Sequence, residues 1–147
     1  MKLVHEVSVG AGRDSVWAAL MDLPVAAGCV PGTRDLSADG DGVRGVLDVK
    51  VGPIRLALAG RIAVESRDDA AGTARFRADA EDRWLGGGVR ALVDLSVSGD
   101  SPTRLRVATD VAMLGRIGEL GQPLIARQAD RLVAAFAECL GRTVTTR

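Results

Sequence analysis

Apolar and polar residues alternate with a period of two along most of this chain, and only its C-terminal stretch switches to a helical period. In the first run, Leu3, His5, Val7 and Val9 share one face, with Lys2, Glu6 and Ser8 on the other, which predicts a strand over 2–9. After the turn residues 38–42, Val43, Gly45, Leu47, Val49 and Val51 line one face of a second run, ended by Gly52-Pro53. A third carries Ile54, Leu56, Leu58, Ile62 and Val64, with Gly60 on the same face, where it permits a bend. Ala74, Phe76, Ala78 and Ala80 then face one way, followed by Val89, Ala91, Val93, Leu95 and Val97, and last by Leu105, Val107, Thr109, Val111 and Met113.

Two short interruptions follow the first run. Gly10-Ala11-Gly12 breaks the strand, and Asp14 or Ser15 is a ready N-cap for a helix through Val16, Trp17, Leu20 and Met21, ending before Pro24. A second helical turn over 25–29 closes at Pro31-Gly32. The only long helical pattern spans 115–141. Turning each residue by 100° places Ile117, Leu120, Leu124, Ile125, Leu132, Ala135, Phe136 and Cys139 on one arc, with Glu119, Arg127, Asp130 and Ala134 opposite. Gln128 interrupts this arc between Leu124 and Leu132. Gly115, Gly118, Gly121 and Pro123 weaken the start of the helix, so a frayed or kinked first turn, or a gate, is expected there.

Each strand has one wet and one dry face, and short connections exclude parallel crossovers. The fold class is therefore α+β: a curved antiparallel sheet of about seven strands, two short helices after the first strand, and one long terminal helix covering the dry face, all in one domain over 1–147. Composition adds constraints. Basic and acidic residues number 19 each, which leaves no basic stripe for nucleic acid. Aromatic residues are 3% of the chain and there is no Tyr, so small and aliphatic side chains line the interior. With no 18-residue apolar run or signal-like segment, Cys29 and Cys139 read as free, buried thiols and the protein as cytoplasmic.

The pattern of Val16-Trp17 with Leu20 and Asp22, then Cys29-Val30-Pro31-Gly32, Val51-Gly52-Pro53 with Gly60, a Gly-rich turn, and Leu114-Gly115-Arg116 before Leu120-Gly121 resembles the carbon monoxide dehydrogenase G-subunit family. That family belongs to the START-like (SRPBCC) helix-grip superfamily, and the resemblance covers nearly the whole chain. It implies a hydrophobic cavity between sheet and helix and a role as accessory to a molybdenum-containing hydroxylase. For some members it further implies binding a respiratory quinone and passing it between the inner face of the membrane and the enzyme. Many members carry a C-terminal hydrophobic anchor, whereas this sequence stops at Arg147, a few residues past its helix. The Gly-rich turn also departs from expectation in carrying Trp84-Leu85.

Candidate chemistry is sparse. Gly10-Ala11-Gly12 with Asp35 imitates a dinucleotide fingerprint, but Ser15 replaces the third Gly and the βαβ context is missing. His5 lacks a catalytic partner, and His5, Cys29 and Cys139 have no metal-ligand spacing, so neither a catalytic nor a metal site is expected. Expected ligand-cavity residues are Gln128, Leu124, Leu132, Phe136, Thr109, Val111, Phe76, Leu58, Val93 and His5. Gln128, Thr109 and His5 are polar on dry faces, and a buried amide without partners costs about 1–3 kcal/mol, so Gln128 needs a structural partner, a water or a ligand. Trp84 and Leu85, at a hairpin tip, are expected either as a portal or transient membrane contact or as incidental packing against the helix. The expected function is a binding protein or carrier for an apolar small molecule such as a quinone or isoprenoid, with no covalent cofactor. The alternatives are a cyclase- or hydratase-like enzyme of the superfamily and a protein-binding maturation factor for the hydroxylase.

Overall fold

The computed structural model describes residues 1–145. β1 (Lys2–Val9) leads into α1 (Arg13–Met21) and α2 (Leu23–Gly28). A meander follows, made of β2 (Thr33–Asp39), β3 (Gly42–Val51), β4 (Ile54–Asp68), β5 (Thr73–Asp82), β6 (Gly88–Ser98) and β7 (Thr103–Leu114). The sheet order is β1-β7-β6-β5-β4-β3-β2, with every neighbouring pair antiparallel. The alternation is realised in register: His5 lies opposite Val107, and Thr109 lies opposite both Leu3 and Val93, so these residues share the concave face. On the outward face, Arg75 bonds Asp94 at 2.8 Å and Arg90 approaches Asp79 at 3.6 Å, pairs that keep this surface wet and add little stability.

The terminal helix begins later than the periodicity predicts. Gly115–Leu120 forms a 3₁₀ turn, Gly121 takes φ 90°, and α3 runs from Gln122 to Thr145. A left-handed φ at Gly121 stops one helix and starts another at an angle, and Pro123 is tolerated in the new first turn. The break resets the helical phase, so Ala137 and Leu140 are the most buried residues of α3, and the arc extrapolated from Ile117 is displaced. Ile117 itself anchors a small cluster with Val51 and Leu56 at the far end of the sheet.

Two further expectations are corrected. The N-cap of α1 is Gly12, not Asp14 or Ser15; the Arg13 amide is instead capped from the β6–β7 turn by Asp100 Oδ1 at 3.0 Å. Cys29 and Cys139 are joined in a disulfide and are not free thiols, with their Cα atoms 5.3 Å apart across 110 residues of chain. Cys29 closes the C-terminus of α2 and Cys139 lies on α3, a proximity that exists only once the helices pack and is invisible in the spacing. No helix among the described residues is long and apolar enough to cross a membrane.

Candidate functional site

The position of α3 creates the site. Its buried residues Ala137 and Leu140 join Val9 of β1 in one core cluster. A Cβ placed on Gly141 would stand 3.7 Å from the Val9 side chain, so small residues let the helix come close. Asp130, expected to face away from the sheet, instead accepts a hydrogen bond from His5 Nε2 at 2.7 Å. Held to one edge, α3 leaves the concave face of β3 to β6 only partly covered.

The uncovered span is a cavity of about 430 Å³, within the range of roughly 300–1,000 Å³ common for small-molecule sites. Leu132, Val133 and Phe136 of α3 form its roof, and Leu23, Ala26 and Ala27 of α2 form an end wall. Its floor follows from side-chain size. One transverse row pairs Gly45 with Gly60, Gly60 with Ala80 and Ala80 with Val89; the next pairs Val43, Ile62, Ala78 and Ala91 in sequence. Gly45, Gly60 and Ala80 in the first row and Ala78 and Ala91 in the second withhold the bulk that would fill the space. Gly60 is also required by contact, because a Cβ there would fall 1.9 Å from the Asp79 carbonyl oxygen.

Polar groups around the cavity are already engaged. Thr33 Oγ1 donates to the carbonyls of Ala27 (3.1 Å) and Val30 (2.9 Å). Arg61 and Asp79 are cross-strand partners on the outward register; the Arg61 guanidinium bonds Asp39 and Asp41. The walls therefore offer apolar burial and few free hydrogen-bonding groups.

Of the residues expected at a ligand site, Leu58, Phe76, Val93, Leu132 and Phe136 border the cavity. Leu124 instead packs with Leu85, Leu120 and Ile125 on the Ile117 cluster, which meets the cavity through Leu58 and Val89. Gln128 is half-buried and does not border the cavity, nor do Thr109 and Val111, although both lie on the concave face. His5 stands under the α3 edge, where its Nδ1 is buried with no hydrogen-bond partner among the described residues. Not named among the expected site residues were the wall from α2 and Val133, nor individually the floor residues Gly45, Ala78, Ala80 and Ala91, which the expected small and aliphatic lining covers only as a class. The alternation placed those small residues inward, and their size was the available signal. Among the described residues no cluster of His, Cys, Asp or Glu has the arrangement to hold a metal ion.

The β5–β6 turn separates the two expected portal residues. Trp84 is 87% exposed, whereas Leu85 folds under onto the Ile117 cluster. Asp82, 3% exposed, organises this turn: Oδ1 accepts from the amides of Trp84 (2.7 Å) and Leu85 (2.8 Å), and Oδ2 from Ala57 (2.8 Å). Burial alone pushes its carboxyl up, but the three amide donors outweigh that effect and hold it below the ordinary carboxylate value. A depressed folded-state value means stability that is present above the unfolded value near 3.9 and lost as pH falls through the folded one. Asp82→Ala is expected to cost about 2 kcal/mol at pH 7, because three part-buried N–H groups lose their acceptor. Urea unfolding at pH 7 and at about pH 3 checks this, and the gap between wild type and variant should narrow at the lower pH.

A curved antiparallel sheet gripping a long C-terminal helix over an apolar cavity defines a START-like, helix-grip protein. The family model for the carbon monoxide dehydrogenase G-subunit (CoxG) matches residues 6–145, and the chain belongs to that family. No curated protein matches the chain by sequence. Among solved structures, a conserved protein from Geobacillus kaustophilus is similar at TM-score 0.87 and 17% identity, covering 99% of this chain and 96% of that one. An aromatase/cyclase from Streptomyces is similar at 0.68 and 18%, covering 100% and 94%. Norcoclaurine synthase from Thalictrum flavum, solved with dopamine and hydroxybenzaldehyde, is similar at 0.64 and 16%, covering 100% and 87%. At these identities the likeness is one of fold.

Proposed function

We propose that this protein binds an uncharged, largely apolar small molecule between its sheet and α3, and carries it as an accessory to a molybdenum-containing hydroxylase of the carbon monoxide dehydrogenase kind. The observation that carries the reading is the cavity itself: about 430 Å³, walled by aliphatic side chains, with Thr33 and Arg61 already satisfied by protein partners. Affinity in such a site comes from apolar burial at roughly 25 cal/mol per Å². A quinone ring or isoprenoid segment suits these walls. Family membership supports the link to the hydroxylase. A binding role is favoured over catalysis because Arg61, the cation at the rim, is committed to carboxylates, while His5 pairs with Asp130 away from the cavity. Native mass spectrometry and organic extraction of the purified protein test the reading. A co-purifying or readily loaded apolar molecule supports it, and a protein that takes up neither quinone nor lipid overturns it.

Trp84 is the natural point of contact with a bilayer from which such a ligand would come, because a largely exposed indole at a hairpin tip inserts at the lipid–water boundary. In a Trp17→Phe background, Trp84 emission should shift to the blue on addition of phospholipid vesicles. Unchanged emission would remove this contact from the proposal while leaving the cavity untouched.

A further inference from the structure

The two helices that border the cavity are tied to each other by sulfur. α2 rests on α1, β2 and β3, and its covalent tie to α3 is the disulfide from its C-terminal cap Cys29 to Cys139. Leu23, Ala26 and Ala27 on one side of this bond and Leu132, Val133 and Phe136 on the other all face the same cavity. A six-residue helix has little stability of its own and depends on what it is packed against or bonded to. The disulfide thus limits how far apart the two helical walls of the cavity can stand.

We infer that Cys29–Cys139 is a thiol–disulfide exchange site whose redox state sets how fast a ligand enters and leaves the cavity, an inference that rests on the binding role proposed above. The co-reactant is a dithiol. One of its thiolates attacks Cys139 Sγ, since Cys139 is the more exposed of the two while Cys29 is 5% exposed. A mixed disulfide forms and the Cys29–Cys139 bond breaks, with Cys29 leaving as a thiolate. The Thr143 hydroxyl lies 3.6 Å from Cys29 Sγ, placed to hydrogen-bond the developing charge. The second thiolate of the co-reactant then attacks its own sulfur in the mixed disulfide and releases Cys139. Two electrons pass to the protein, the dithiol becomes a disulfide, and the two protons it gives up end on Cys29 and Cys139. Leu23 and Ala26, 8% and 9% exposed, keep α2 seated on the core, so the opening loosens without the sheet coming apart.

The test uses the uncharged fluorescent probe N-phenyl-1-naphthylamine and hydrogen exchange on the full chain. Reduction with dithiothreitol, followed by mass after alkylation, should speed probe dissociation at least about tenfold. It should also raise amide exchange in residues 23–30 while the β6–β7 amides stay protected. A Cys29→Ser/Cys139→Ser protein should match the reduced state and ignore dithiothreitol. Equal dissociation rates and equal exchange in the oxidised and reduced wild-type protein overturn the inference, as does exchange spreading across the whole sheet, which would make the bond a global staple. A protein that binds no probe in either state removes the binding role, and exchange in residues 23–30 still decides whether the bond controls α2.

Discussion

Ala78→Phe combined with Ala91→Phe should weaken uptake of an uncharged probe about 100-fold while leaving the protein as stable as wild type, or more so. The two alanines are register partners on β5 and β6, and both line the cavity floor beneath α3. Two phenyl rings there project into space that no other side chain occupies, so they gain apolar contact instead of displacing packed neighbours. This is the reverse of overpacking a filled core, which costs about 1–3 kcal/mol. A loss of affinity of about 100-fold, roughly 2.7 kcal/mol, is expected for any ligand held between these strands and Phe136. Fluorescence titration with N-phenyl-1-naphthylamine, paired with thermal melts, gives both quantities. Ala63→Phe is the control, because Ala63 pairs with Arg77 on the outward register and its ring would meet solvent. Uptake unchanged in the double variant would place the ligand outside this cavity.

The sheet was legible because its rule is local. Alternation alone put Leu58, Phe76 and Val93 on one face, and turn residues such as Asp41-Gly42 and Gly72 set where each strand ends. The resemblance carried by Cys29-Val30-Pro31-Gly32 and Val51-Gly52-Pro53 pointed to the same architecture and family. What stayed hidden depends on tertiary placement. The phase of α3 could not be read through Gly121, whose left-handed backbone resets the helix and shifts the buried positions to Ala137 and Leu140. The pairing of Cys29 with Cys139 spans 110 residues and follows from where α2 and α3 dock.

The lateral position of α3 explains several of these differences together. The helix lies toward β1 and leaves Gln128 off the cavity. Small residues at Ala137 and Gly141 let it approach β1, where the largely exposed Asp130 meets His5. The polar positions Gln128, Thr109 and His5 therefore lie off the cavity, and the cavity is more uniformly apolar than the residue pattern suggests. Selectivity in such a site comes from shape and from exclusion of charge, since an unpaired charge moved into it would meet no counter-group.

Gly60→Ala should lower stability by about 3 kcal/mol, a large loss for the addition of one methyl group. Its new Cβ would stand 1.9 Å from the Asp79 carbonyl oxygen, 2.6 Å from Ala80 Cα and 2.8 Å from Ala80 Cβ. These are mostly backbone atoms of β5, locked by the pairing of Gly60 with Ala80 and Arg61 with Asp79, so relief requires the two strands to part. A melting temperature roughly 10 °C below wild type is expected at this chain length. Gly10→Ala serves as the comparison: nothing lies within 4 Å of the added atom, and its effect should stay within about 0.5 kcal/mol. Because Gly60 also lines the cavity, parting β4 from β5 would disturb the floor on which a ligand rests. Saturating N-phenyl-1-naphthylamine at about 100 times Kd raises wild-type stability by about 2.7 kcal/mol through mass action. The same concentration should rescue Gly60→Ala by less, since weaker binding gives a smaller linkage gain. Full rescue would mean that the strand contact at Gly60 serves the fold alone and that the ligand rests elsewhere on the sheet.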